Sequence, residues 1–157
     1  MPLTQYQLGY LAGLLDGEGT LVINVSREKR AVGKRPRARN GISIGTSLKI
    51  VNTNLDLLNG LNNIVLGKIY RSTRKKEDRG SDVFVWAIND KKTIVDILQQ
   101  LLPYLIVKKD RAEKMIEFCL SRINRKSYKA GYTKEELDLA MNWSNVSTNS
   151  GADYVRK

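Results

Sequence analysis

The apolar positions along this chain alternate between two spacings. Leu8, Leu11 and Leu15 recur at helical intervals with Ala12 and Leu14 beside them, after Thr4 as a candidate N-cap and before Gly17 or Gly19 as a C-cap. A helix over residues 5–17 is predicted. From Thr20 to Arg27 the period falls to two, with Leu21, Ile23 and Val25 on one side and Val22, Asn24 and Ser26 on the other. Residues 41–50 repeat that alternation. Ile42, Ile44, Leu48 and Ile50 share an apolar face, and Ser43, Gly45, Ser47 and Lys49 an open polar one.

The order then recurs. Leu55, Leu58, Leu61 and Val65 mark a helix over 52–65, with Asn52 or Asn54 as its cap. Strands are predicted over 67–73 and 82–88, then a helix over 90–101 with Ile94, Ile97, Leu98 and Leu101 inward, stopping near Pro103. The strand over 82–88 is apolar on both sides, so either Val83 and Val85 or Phe84 and Trp86 face the core, with core packing the default for Trp86. Helices over 108–124 and 133–142 are expected on the outside. The result is an α+β fold of order αββαββα, with helices on one face of an antiparallel sheet and a helical C-terminal extension.

Length and composition bound the organisation. A chain of 157 residues with 41% apolar content is one domain, expected over 1–145, before a tail at 146–157 rich in Ser and Asn and expected to be poorly ordered. Neither a secretory segment nor an apolar run of about 18 residues is present, which predicts a soluble, intracellular protein. The single cysteine, Cys119, sits in the apolar run 115–120 and reads as a small buried hydrophobe. The chain has no histidine, so zinc sites of the Cys/His type, His-dependent triads and His-metal nucleases are all excluded. Catalysis, if any, falls to carboxylates, lysine or a bound metal.

Charge adds a partner. The net charge of +11 calls for a polyanion, and thirteen of the 27 Lys and Arg residues lie within 27–39 and 68–79, at strand ends. Basic strand loops favour nucleic acid over a membrane, which would be met by an amphipathic helix. The open strand faces and their loops supply the candidate DNA contacts: Asn24, Ser26, Arg30, Arg35, Arg37, Arg39, Ser43, Ser47, Lys49, Lys68, Tyr70, Ser72, Arg74 and Lys75. Arg and Lys of this set position the backbone, and the short polar side chains suit major-groove reading by a β-ribbon.

The first helix carries the chemistry. Gly9, Gly13 and Gly17 fall on one face although each interior glycine costs about 1 kcal/mol relative to alanine, which points to close approach by a second helix. Asp16 and Glu18 lie at its C-terminal end, where the helix dipole disfavours carboxylates by up to about 1 kcal/mol each. Two such helices side by side bring four carboxylates together, an arrangement a hard divalent cation relieves. Taken alone, Asp16-Gly17-Glu18-Gly19 reads as a solvated turn.

The whole run Leu11-Ala12-Gly13-Leu14-Leu15-Asp16-Gly17-Glu18-Gly19 resembles the signature of the LAGLIDADG homing endonucleases, identical at six of nine positions and departing at Leu15, Gly17 and Glu18. With no second copy of the motif, the resemblance implies the single-motif, homodimeric type, with a saddle-shaped sheet. It implies a site-specific, intron- or intein-encoded nuclease of a microbial cytoplasm or organelle. Such an enzyme hydrolyses both strands of a long pseudo-palindromic DNA site with Mg²⁺, leaving short 3′ overhangs; Mn²⁺ or Ca²⁺ would occupy the same site. By the same resemblance Glu18 is the metal-binding, catalytic acid, with the Gly17 carbonyl in its coordination shell, while Asp16 is mainly structural. Lys108 is a catalytic lysine beside the metal, with Lys109 as the adjacent alternative, and Ser47 or Lys49 completes the water network. Glu18 in place of aspartate lengthens the carboxylate arm and puts the rate in question. Competing readings are an RNA-binding intron-splicing cofactor and a non-cleaving DNA-binding regulator on the same fold.

Overall fold

The computed structural model describes residues 2–27, 42–72, 80–125 and 131–146. Helix α1 (Gln5–Glu18) opens on a reciprocal cap: Thr4 Oγ1 accepts from the Gln7 backbone N–H, and the Gln7 side chain accepts from the Thr4 N–H. The helix buries Leu11, Ala12 and Leu15. It closes at Gly19, where a Cβ would lie 2.6 Å from the Leu15 carbonyl oxygen, so only glycine lets the chain pass straight from α1 into a strand.

That strand, β1 (Gly19–Arg27), pairs antiparallel with β2 (Ile42–Asn52), which sets Leu21 opposite Leu48 and Asn24 opposite Gly45. Strand β4 (Phe84–Ile88) pairs with the second half of β2 and with β3 (Lys68–Arg71), giving the order β1-β2-β4-β3, antiparallel throughout. Helix α2 (Leu55–Ile64) is capped by Asn54, whose Oδ1 accepts from Asp56 N–H and Leu57 N–H. Of the two candidate caps, Asn52 therefore belongs to the strand.

Helix α3 (Lys91–Leu101), capped by Asp90, ends in a single 3-10 turn at Leu102–Tyr104 that contains Pro103. Helix α4 (Lys109–Ile123), helix α5 (Lys134–Met141) and a last 3-10 turn at Trp143–Asn145 complete the order. The core lies between these helices and the sheet face that carries Leu21, Ile23, Ile44, Leu48, Ile50, Trp86 and Ile88. On β4 the alternation resolves in favour of Trp86, 1% exposed, whose indole N–H reaches Asn62 Oδ1 at 3.2 Å.

Helix α4 lies on the outside as an amphipathic helix, with Asp110, Glu113, Lys114 and Glu117 exposed on its outer face. Ala112, Met115, Ile116, Phe118 and Cys119 are all buried, at spacings of three and four that form one stripe packed against α3 and the sheet. Burial pushes the Cys119 thiol up to about 11, in keeping with an inert apolar side chain. Helix α5 and Trp143 then cover the edge strand β1, with Trp143 Nε1 donating to the Leu21 carbonyl at 2.9 Å. An exposed strand edge invites pairing with other chains, and this contact blocks it. Among the described residues no helix is long and apolar enough to cross a membrane.

Candidate active site at the end of the motif helix

The two motif acids have separate surroundings. Asp16 faces the loop after α3: its Oδ2 accepts from the Ile106 backbone N–H at 2.8 Å and its Oδ1 from the Lys108 N–H at 3.0 Å. The Lys108 ammonium donates back to the Asp16 carbonyl oxygen at 2.5 Å, satisfying one of the orphan carbonyls of the last helical turn. Burial lowers the Lys108 pKa, Asp16 opposes that, and Arg111 adds to the lowering. Lys109, one position on, is exposed.

Glu18 points away from that clasp and is exposed. Its Oε2 accepts from Asn52 Nδ2 at 2.6 Å, and Asn52 Oδ1 accepts from the Asn54 N–H at 2.7 Å. Asn52 thus spans from the β2–α2 turn to the longer arm of Glu18. Sequence reasoning missed this residue because Asn52 reads equally well as a helix cap, and only the pairing of β1 with β2 brings it to the end of α1.

The donors near the end of α1 are oxygens on a negatively polarised helix terminus: the Glu18 carboxylate and the carbonyls of the last turn. Their chemistry fits a hard divalent cation. Their number does not fill a coordination shell, since among the described residues no three Asp, Glu, Cys or His side chains converge. On the same helix Gly9, Gly13 and Gly17 are exposed, and a Cβ on any of them would meet nothing within 4 Å. This open stripe ends beside Glu18.

The sheet face turned away from the core carries the other candidates. Asn24, Ser26, Lys68 and Tyr70 are exposed, and Ser43, Lys49 and Ser72 half-buried. The register aligns Thr20, Lys49, Ala87 and Lys68 in one row across all four strands, so two lysines flank an alanine floor. The expectation that Ser47 is openly presented is corrected: it is 7% exposed, between half-buried Val22 opposite and half-buried Lys49 along the strand. Its Oγ has no hydrogen-bond partner among the described residues. Arg30, Arg35, Arg37, Arg39, Arg74 and Lys75 lie outside the described residues.

Residues 11–119, from the motif through most of α4, match the family model for LAGLIDADG endonucleases. The chain belongs to this family. No curated protein matches it. Among solved structures it is similar to the homing endonuclease I-CvuI in complex with its target in the presence of Ca (20% identity, 97% of this chain, 91% of that chain, TM-score 0.68). I-CvuI with another target in the presence of Mg is also similar (16% identity, 90% and 96%, TM-score 0.61). So is the homing endonuclease I-TnaI (18% identity, 98% and 94%, TM-score 0.66). A point mutant of I-SmaMI is matched over 94% of this chain but only 46% of its own length, at 14% identity and TM-score 0.63. These likenesses extend the LAGLIDADG fold over nearly the whole described chain.

Proposed function

We propose that this LAGLIDADG protein is a site-specific endonuclease for double-stranded DNA that acts as a homodimer with divalent metal ions, Mg²⁺ foremost. The observation that carries the reading is the termination of α1: an open glycine stripe runs directly to an exposed Glu18. Glycines that forgo about 1 kcal/mol each of helix stability let two helix backbones approach closely. Pairing of two α1 helices along that stripe brings two Glu18 carboxylates together. The match to just under half of I-SmaMI is in keeping with two copies making one nuclease.

In this reading Glu18 and the Gly17 carbonyl hold the metal, and Asn52 fixes the free rotation of the Glu18 arm. When bound, a divalent cation there supplies water activation and charge neutralisation for phosphodiester hydrolysis. Asp16 holds the loop that carries Lys108, and Lys108 places a positive charge at the end of the motif helix, where phosphate charge grows in the transition state. Lys49 and Lys68 meet the backbone from the sheet.

Incubation with a randomised duplex library and Mg²⁺, followed by sequencing of the cut ends, tests the whole reading. Recovery of a long pseudo-palindromic site with short 3′ overhangs is the expected result. Failure of the folded protein to cut any duplex in Mg²⁺ or Mn²⁺ overturns it.

A further inference from the structure

The row next but one from the lysines holds an unusual pair. Asn24 on β1 stands opposite Gly45 on β2, both on the open face and both exposed. A Cβ at position 45 would lie 2.7 Å from Asn24 Oδ1, 3.7 Å from its Cγ and 4.0 Å from its Nδ2. The Asn24 amide therefore occupies the space a side chain at 45 would take, with its oxygen the nearest atom and Nδ2 1.3 Å farther off. Glycine inside a strand weakens it and marks a place where another group comes close to the backbone. Here that group is the Asn24 oxygen.

We propose that Asn24 and Gly45 are one base-reading unit, in which the missing side chain at 45 sets the Asn24 amide with its NH₂ turned to the major groove. The inference rests on the reading of the chain as a site-specific DNA endonuclease and names one of its specificity determinants. An NH₂ donor requires an acceptor. Adenine offers N7, guanine N7 and O6, and thymine O4, whereas cytosine presents only its N4 amine to that groove. The unit discriminates against cytosine on the strand it faces. Its place follows from the strand: Asn24 is five residues beyond Gly19, about 17 Å at roughly 3.4 Å per residue. With about 3.4 Å per base pair, the base read lies about five pairs outward from the end of α1 in each half-site.

The test is selection of bound and of cut duplexes from a randomised library, for the wild type, Asn24→Ala, Gly45→Ala and the double variant, with thermal unfolding to verify that each is folded. The wild type is expected to deplete cytosine about fivefold or more at one position per half-site. Asn24→Ala brings that position close to even and leaves the other positions as they were. Gly45→Ala shifts preference at the same position, and the double variant matches Asn24→Ala there, because the glycine acts only through the asparagine. Unchanged preference in Asn24→Ala, or a Gly45→Ala effect spread over the whole half-site, overturns the unit while leaving the endonuclease reading intact. A folded wild type that selects no duplex overturns that reading and the unit with it.

Discussion

Asp16 and Lys108 hold each other twice: the Asp16 carboxylate accepts the Lys108 backbone N–H, and the Lys108 ammonium donates to the Asp16 carbonyl. Ninety-two residues apart in sequence, they tie the end of α1 to the start of α4. Lys108 is the N-cap of α4 and provides no side-chain cap, so its ammonium is turned to the motif helix.

Asp16→Ala removes the acceptor of two backbone N–H groups. Hydrogen bonds to ionised groups contribute about 1.5–3 kcal/mol each, and partial access of water to the loop offsets some of that. A loss of about 2 kcal/mol is expected by urea unfolding, with cleavage reduced as the loop carrying Lys108 loosens. An unchanged urea midpoint would show the clasp to be incidental.

Asn52→Ala leaves the Glu18 carboxylate in place and unheld. Groups that orient a metal ligand typically contribute ten- to a hundredfold to affinity or activity. The Mn²⁺ concentration for half-maximal cleavage should rise by about that factor.

Gly13→Ala separates the monomer from the dimer. In one copy the new methyl meets nothing within 4 Å, and the change from glycine alone strengthens the helix by about 1 kcal/mol. Between two packed helices the same methyl holds the backbones apart. Sedimentation should therefore show the wild type near twice 17.8 kDa and the variant shifted towards a single copy that unfolds at higher temperature. A wild type that stays a single copy at all concentrations removes the paired Glu18 site.

Glu136→Gln tests the joint between α4 and α5. Glu136 is buried and accepts from Ser121 Oγ at 2.5 Å, the Thr133 N–H at 3.0 Å and Arg122 Nη1 at 2.9 Å, while Arg122 lies over the Tyr132 ring. Burial alone would raise its pKa; the bonds from Ser121 and Thr133 and the charge of Arg122 outweigh it and hold the carboxyl below its ordinary value. A carboxylate depressed in this way stabilises the fold above its unfolded pKa. That contribution disappears as pH falls through the folded value. Glu136→Gln should destabilise by about 3 kcal/mol at neutral pH, since Arg122 is left buried without its partner, and by less in acid. A pH-independent difference in chemical denaturation would contradict the ion pair.

Apolar spacing was enough to read the four strands and five helices of the described residues to within a few positions, because a half-buried strand and an amphipathic helix each impose their own period. The glycine-ended motif and the absence of histidine likewise told which chemistry was open. Spacing misled at one strand position. Ser47 has the alternation of an open position, yet neighbours on both sides close over it. Strand register decided the rest. The pairing of Gly19 with Ile50 brings Asn52 within 2.6 Å of Glu18, and that of Asn24 with Gly45 lets an amide occupy the space a side chain would take. Local sequence determines which way each side chain points along its own element. Which side chain it meets is a property of the pairing between elements, and only the tertiary structure contains it.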